Sequence, residues 1–145
     1  MKSIIFILLW IVPITSTEWL NDFELAKLEA RQNNKKILLN FSGSDWCAPC
    51  IKLKRDVFEQ VSFSEFATAN LVLLAADFPR HKKNRLSDEQ TSHNERLAEL
   101  YNPQGQFPLT LLLDSDGKVI KTWEGFPGGS PEEFVNDIKG HLHEK

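Results

Sequence analysis

Short apolar runs of strand length alternate along this chain with stretches of helical periodicity, and that alternation restricts the fold more than any other feature. Residues 36–41 contain Ile37, Leu38 and Leu39, and residues 71–78 form a second apolar run; each is too short for a helix and is bounded by turn-type residues. Between them helical character runs from Ala48 through Phe58, and a second helical piece covers 63–69, so the two strands are expected to lie parallel across a helical connection. Upstream, residues 18–32 place Trp19, Leu20, Phe23, Ala26 and Ala30 on one face of an amphipathic helix that Asn33-Asn34 ends. Downstream, residues 92–101 read as a helix with Leu97, Ala98, Leu100 and Tyr101 inward. Residues 109–113 and 118–123 flank Asp114-Ser115-Asp116-Gly117, a turn that should join them as an antiparallel hairpin. The last helix runs to about His141 and starts at Ser130-Pro131-Glu132-Glu133, where a serine cap, a proline in the first turn and a glutamate three residues after the cap coincide. The resulting order predicts an α/β fold: a mixed central sheet with helices on both faces.

With 145 residues there is room for one domain with its own core. A formal charge of −3 supplies no general attraction to nucleic acid, which is not expected as a partner. The polar stretch 79–90 does hold Arg80, His81, Lys82, Lys83 and Arg85; on an acidic chain this reads as a solvated loop, with a patch for nucleic acid or an acidic partner as the alternative. The N-terminus differs from the rest. Lys2, the apolar run 4–12 and then Thr15, Ser16 and Thr17 have the layout of a secretory signal over residues 1–16, preceding a domain over 17–145. The run falls short of the roughly 20 residues that cross a bilayer. Ile14 is bulky for its place before a cut after Ser16, which leaves an uncleaved anchor as the alternative. Either way the domain is expected to be periplasmic or otherwise exported.

Export places the chain where disulfides persist, yet it has two cysteines, Cys47 and Cys50, within one short motif. Closing so small a loop removes little entropy from the unfolded chain, so a structural staple is a poor account of the pair. A zinc site would need further ligands; His141 and His143 have unsuitable spacing, and His81 and His93 read as loop and helix-surface residues. Redox chemistry fits better. If a strand ends near Phe41 and a helix begins at Ala48, Cys47 lies at the helix N-terminus, where unpaired N–H groups favour a thiolate, the nucleophile of disulfide exchange. Cys47 then attacks, and Cys50, one turn on and more enclosed, resolves the mixed disulfide. Pro49 costs no hydrogen bond early in the helix, and Trp46 offers an apolar surface beside the attacking sulfur.

These residues carry a family resemblance. Ile37-Leu38-Leu39-Asn40-Phe41 and Asp45-Trp46-Cys47-Ala48-Pro49-Cys50 resemble the first core strand and active site of the thioredoxin superfamily. The stretch 94–101, Gly105, Phe107-Pro108 and the Asp114 turn resemble its helix, cis-proline loop and terminal hairpin. Over about residues 18–142 the chain is similar to exported bacterial thioredoxin-like proteins and to the C-terminal domain of thiol:disulfide interchange proteins. The resemblance implies a thioredoxin-like fold, a cis bond before Pro108, and a Phe107-Pro108 loop that faces the cysteines and receives a partner's backbone. It departs from the pattern in three places: Asn40 stands where a buried aspartate assists proton transfer, with Asp45 in an exposed loop no obvious substitute; the loop before the motif is one residue longer; and Leu109 replaces the threonine after the cis-proline.

The implied activity is thiol:disulfide exchange with protein thiols and disulfides, using the Cys47–Cys50 couple and no other cofactor. Ala48-Pro49 lacks the histidine that would stabilise the thiolate and make the couple oxidising, which points toward reduction. A reductase outside the cytoplasm needs a membrane-bound thiol electron donor, since the sequence has no flavin, nicotinamide or haem motif. The alternatives are a disulfide isomerase or oxidase, and a non-catalytic module that binds through Trp46 and Phe107.

Overall fold

The structure is a computed structural model that describes residues 17–126 and 128–144; the expected signal segment 1–16 lies outside the described residues. It opens with a two-residue strand, β1 (Trp19–Leu20), followed by α1 (Phe23–Asn33). This corrects the single helix expected from residue 18. Asp22 is extended and its carboxylate accepts the Leu25 N–H, so the helix is capped there, and Trp19 and Leu20 remain extended to pair with Leu73 and Leu74. Apolar periodicity does not distinguish two strand residues from one more helical turn.

β2 (Lys36–Ser42) follows a left-handed Asn34, and α2 (Ala48–Leu53) continues into a π-helical turn at Lys54–Phe58. Next come α3 (Val61–Asn70), β3 (Leu71–Asp77), a 3₁₀ turn at Lys82–Asn84 and α4 (Asp88–Tyr101). α4 begins earlier than the expected residue 92, because Ser87 caps it by accepting the Gln90 N–H; Ser-x-x-Gln was the available signal. β4 (Leu109–Leu113) and β5 (Val119–Glu124) form the hairpin, and α5 (Pro131–His141) has the full capping box between Ser130 and Glu133.

The sheet order is β1-β3-β2-β4-β5, with β1, β3 and β2 parallel and β4 and β5 antiparallel. This is the expected mixed sheet. Because successive strand residues point to opposite faces, the central strands feed two cores. Ile37, Leu39, Phe41, Leu74, Leu111 and Leu113 pack with Ala26 and Ala30 of α1 and Leu97 of α4. Leu38, Leu73 and Leu112 pack on the other side with Phe63 of α3, Val135 and Ile138 of α5, and Leu53 of α2. Burial on both faces explains why β2 and β4 read as continuous apolar runs rather than alternating ones. Asn40 and Thr110 share the second face, one step beyond Leu38 and Leu112 toward the C-terminal end of β2.

Candidate active site

Topology brings three separate stretches to one end of the sheet, where Phe41 pairs with Leu109 and Ser42 with Asp77: the β2–α2 turn, the exit from β3 and the entry to β4. The turn closes on Gly43, whose carbonyl accepts the Cys47 N–H at 2.9 Å and the Trp46 N–H at 3.3 Å. The turn is pinned to the end of β3 by Asp77, whose carboxylate accepts the Ser44 N–H at 2.9 Å and the Ser44 hydroxyl. A Cβ on Gly43 would fall 2.3–2.6 Å from atoms of the Trp46 indole, so only glycine lets the ring lie against this backbone.

Cys47 is the N-cap of α2 and Cys50 lies in its first turn; the two are joined in a disulfide with S–S 2.07 Å and Cα–Cα 5.2 Å. The Cys50 N–H donates to the Cys47 sulfur at 3.3 Å. Cys47 is 5% exposed and Cys50 3%, so in the oxidised form both are enclosed and the expected difference between them is slight. Ala48 and Pro49 are exposed, with Pro49 in the first turn, where it forfeits no helical hydrogen bond.

Trp46 is half-buried; its indole N–H donates to the Phe78 carbonyl at 2.7 Å, and its ring meets Phe107 edge-on at 5.4 Å. Phe107 also meets Phe78 at 5.5 Å, so three rings from three segments form one aromatic corner. The Phe107-Pro108 bond is cis, as the resemblance implied, and the buried Pro108 passes its carbonyl to the Gly125 N–H.

On the opposite side of α2, Asn40 is 7% exposed and donates through its amide nitrogen to the Thr110 hydroxyl at 2.9 Å. Asn40 and Cys50 open with Lys54, Glu59, Ser42 and Asp77 onto a cleft of about 510 Å³. The position that the resemblance matches to the family's acid is therefore held by a neutral, hydrogen-bonded pair beside this cleft.

Several contributors were not legible from the sequence. Asp45, expected as an exposed loop residue, has a side chain only 9% exposed; it accepts the Arg80 N–H at 2.9 Å, the His81 N–H at 3.0 Å and the Asn84 amide at 2.9 Å. The Arg80 amide, followed by the Asn84 side chain, holds its carboxyl down at about 2. The Arg80 guanidinium lies 3.6 Å from the centre of a Trp46 ring. No local pattern announces contacts across such sequence distances. His93, expected on a helix surface, is half-buried and accepts the Phe23 N–H at 3.2 Å, tying α4 to the start of α1. The sulfurs are bonded to each other, and His141 contacts Glu144 at 2.6 Å and Asp137 at 3.6 Å, so the zinc alternative is not assembled among the described residues.

The sequence profile of the thioredoxin-like domain matches residues 23–139. The chain belongs to the thioredoxin-like family. It is 34% identical over 131 residues to the disulfide bond reductase DsbH of Chlamydia pneumoniae, spanning 90% of this chain and 76% of that one. A solved structure of a DsbH oxidoreductase superposes with a TM-score of 0.78 at 31% identity, covering 95% of this chain and 94% of the other. The oxidised C-terminal domain of DsbD from Neisseria meningitidis shares the fold at 16% identity, with a TM-score of 0.56 over 81% of this chain and 90% of that one. Family, fold and the Cys47–Cys50 disulfide together make this thioredoxin-like protein a thiol:disulfide oxidoreductase. Among the described residues no helix is long and apolar enough to cross a membrane.

Proposed function

We propose that this protein is an exported disulfide reductase, with Cys47 as nucleophile and Cys50 as resolving thiol. The observation that carries the direction is the environment of Cys47: its hydrogen-bond donor is the Cys50 backbone N–H, and Ala48-Pro49 brings no ionisable side chain between the sulfurs. A thiolate stabilised by a backbone N–H alone is stabilised less than one facing an imidazolium, so the dithiol gives up its electrons more readily. The likeness to a relative described as a disulfide bond reductase supports the same direction.

In the reaction the Cys47 thiolate attacks one sulfur of a partner disulfide, and the other partner sulfur leaves as a thiolate. The Cys50 thiolate then attacks the Cys47 sulfur, expelling the second partner thiol and leaving the Cys47–Cys50 disulfide. Trp46, Phe107 and Pro108 line the face that receives the partner. Restoring the dithiol takes two electrons, supplied in this reading by a membrane-bound thiol donor. The apolar stretch 4–12 behind Lys2 supports export to the periplasm or an equivalent compartment.

The deciding measurement is the reduction potential of the couple, by thiol trapping across defined redox buffers. A value near −270 mV, about that of thioredoxin, is expected; a value above about −180 mV would replace this reading with that of an oxidase or isomerase. Cys50→Ser should accumulate a mixed disulfide with a protein substrate, and Cys47→Ser should form none; normal function in the Cys47→Ser protein would instead identify a binding module.

A further inference from the structure

The basic loop after β3 has a definite place in the fold. Arg80, Lys82, Lys83 and Arg85 put four of the chain's seventeen Lys and Arg within six positions, with none of its twenty Asp and Glu among them. Asp45 fastens this loop at three points, the Arg80 and His81 amides and the Asn84 side chain, so the 3₁₀ turn that carries Lys82 and Lys83 is fixed to the segment that precedes Cys47. Arg80 covers a Trp46 ring at 3.6 Å, and Trp46 is the residue before Cys47. Arg85 is answered by Asp88 at 3.1 Å, and the Asp45 carboxylate is enclosed by its donors. Lys82 and Lys83 are exposed and have no ion pair among the described residues.

We propose that this loop is a docking surface for an acidic segment of the partner protein, flanking the disulfide that is exchanged at Cys47. The proposal rests on the disulfide-exchange reading and adds a substrate class to it. Charge complementarity at a fixed place supports the proposal. Outside this loop the chain carries thirteen Lys and Arg against twenty Asp and Glu, a balance that repels an acidic segment, whereas the loop is basic and adjoins the aromatic corner beside the disulfide. A loop already held in position loses little backbone freedom on binding, and its charges act chiefly on the rate of productive encounter. Their effect is screened by salt, because the exposed ammonium groups are in water.

The test compares two disulfide-containing peptides of equal length, one flanked by Asp and Glu and one by Ser and Asn, as oxidants of the reduced full-length protein, with timed acid quench and thiol trapping. The acidic peptide is expected to react about tenfold faster at low salt, with the ratio falling toward one at 1 M salt. Lys82→Gln/Lys83→Gln should cut that ratio severalfold. Equal rates for the two peptides, or a ratio unchanged in the double variant, would overturn the docking surface. So would Lys82- and Lys83-dependent co-sedimentation with phosphatidylglycerol vesicles and no peptide preference, which would give the patch to a lipid surface. Absence of reaction with the neutral peptide too would instead strike at disulfide exchange itself.

Discussion

Asn40 is matched by the resemblance to the family's proton-transferring acid, and its surroundings show why an amide is stable there. Its cross-strand neighbours are Thr110 on β4 and Ala75 on β3, and its side-chain amide donates to the Thr110 hydroxyl. An enclosed amide needs that oxygen, because leaving a buried donor unsatisfied costs more than the hydrogen bond is worth in water. Thr110→Val keeps the shape and removes the acceptor, so it should destabilise the protein by about 1–3 kcal/mol, read by urea unfolding. The same substitution leaves both cysteines in place, so disulfide exchange with a small neutral peptide should persist. Asn40 itself was visible in the sequence as a departure. Its partner was not, because the pairing depends on β4 running antiparallel beside β2.

At the scale of elements, the loop between β3 and α4 is held at Arg80, His81 and Asn84 by one carboxylate, that of Asp45. The folded-state pKa of Asp45, about 2, lies below its ordinary value of 3.8, so it binds a proton less readily when folded. Its contribution to stability is therefore complete above pH 3.8 and is lost as the pH falls from there toward 2. Asp45→Asn should flatten that part of the acid-unfolding profile and loosen Arg80 from Trp46, seen as altered tryptophan fluorescence with the far-ultraviolet spectrum retained. Helix starts were legible where the capping chemistry was noticed, as at Ser130, and were misplaced where it was overlooked, as at Asp22 and Ser87. Those two errors share a cause: periodicity locates the apolar face of a helix, while the cap decides its first residue.

Over the whole molecule, one sheet separates two cores, and the active-site end draws on both. Phe107 packs against the core shared with α1 and α4, whereas Cys50 belongs to the helix that closes the other core through Leu53. Ile138 of α5 is fully buried in that second core. Ile138→Ala should cost about 2–5 kcal/mol in chemical denaturation, while the folded variant keeps its reaction with a neutral peptide disulfide. Stability and chemistry separate in this way because α5 packs on the sheet through Val135 and Ile138, while the Cys47 sulfur takes both its hydrogen bond and its covalent partner from Cys50.

The sequence by itself determined the strand and helix order from α1 onward, the mixed sheet, the closing hairpin and the redox pair, because each depends on residues near one another in the chain: an apolar run, a cap, a turn, a Cys-x-x-Cys spacing. It also carried, through the family likeness, the cis bond before Pro108. The tertiary structure alone decided that Asp45 is an enclosed clamp, that Arg80 lies on Trp46, that Phe78 joins Trp46 and Phe107, and that Thr110 satisfies Asn40. Those contacts form between segments that become neighbours only when β3, β2 and β4 align, and hydrogen bonds and ring contacts act over a few ångströms whatever the distance along the chain.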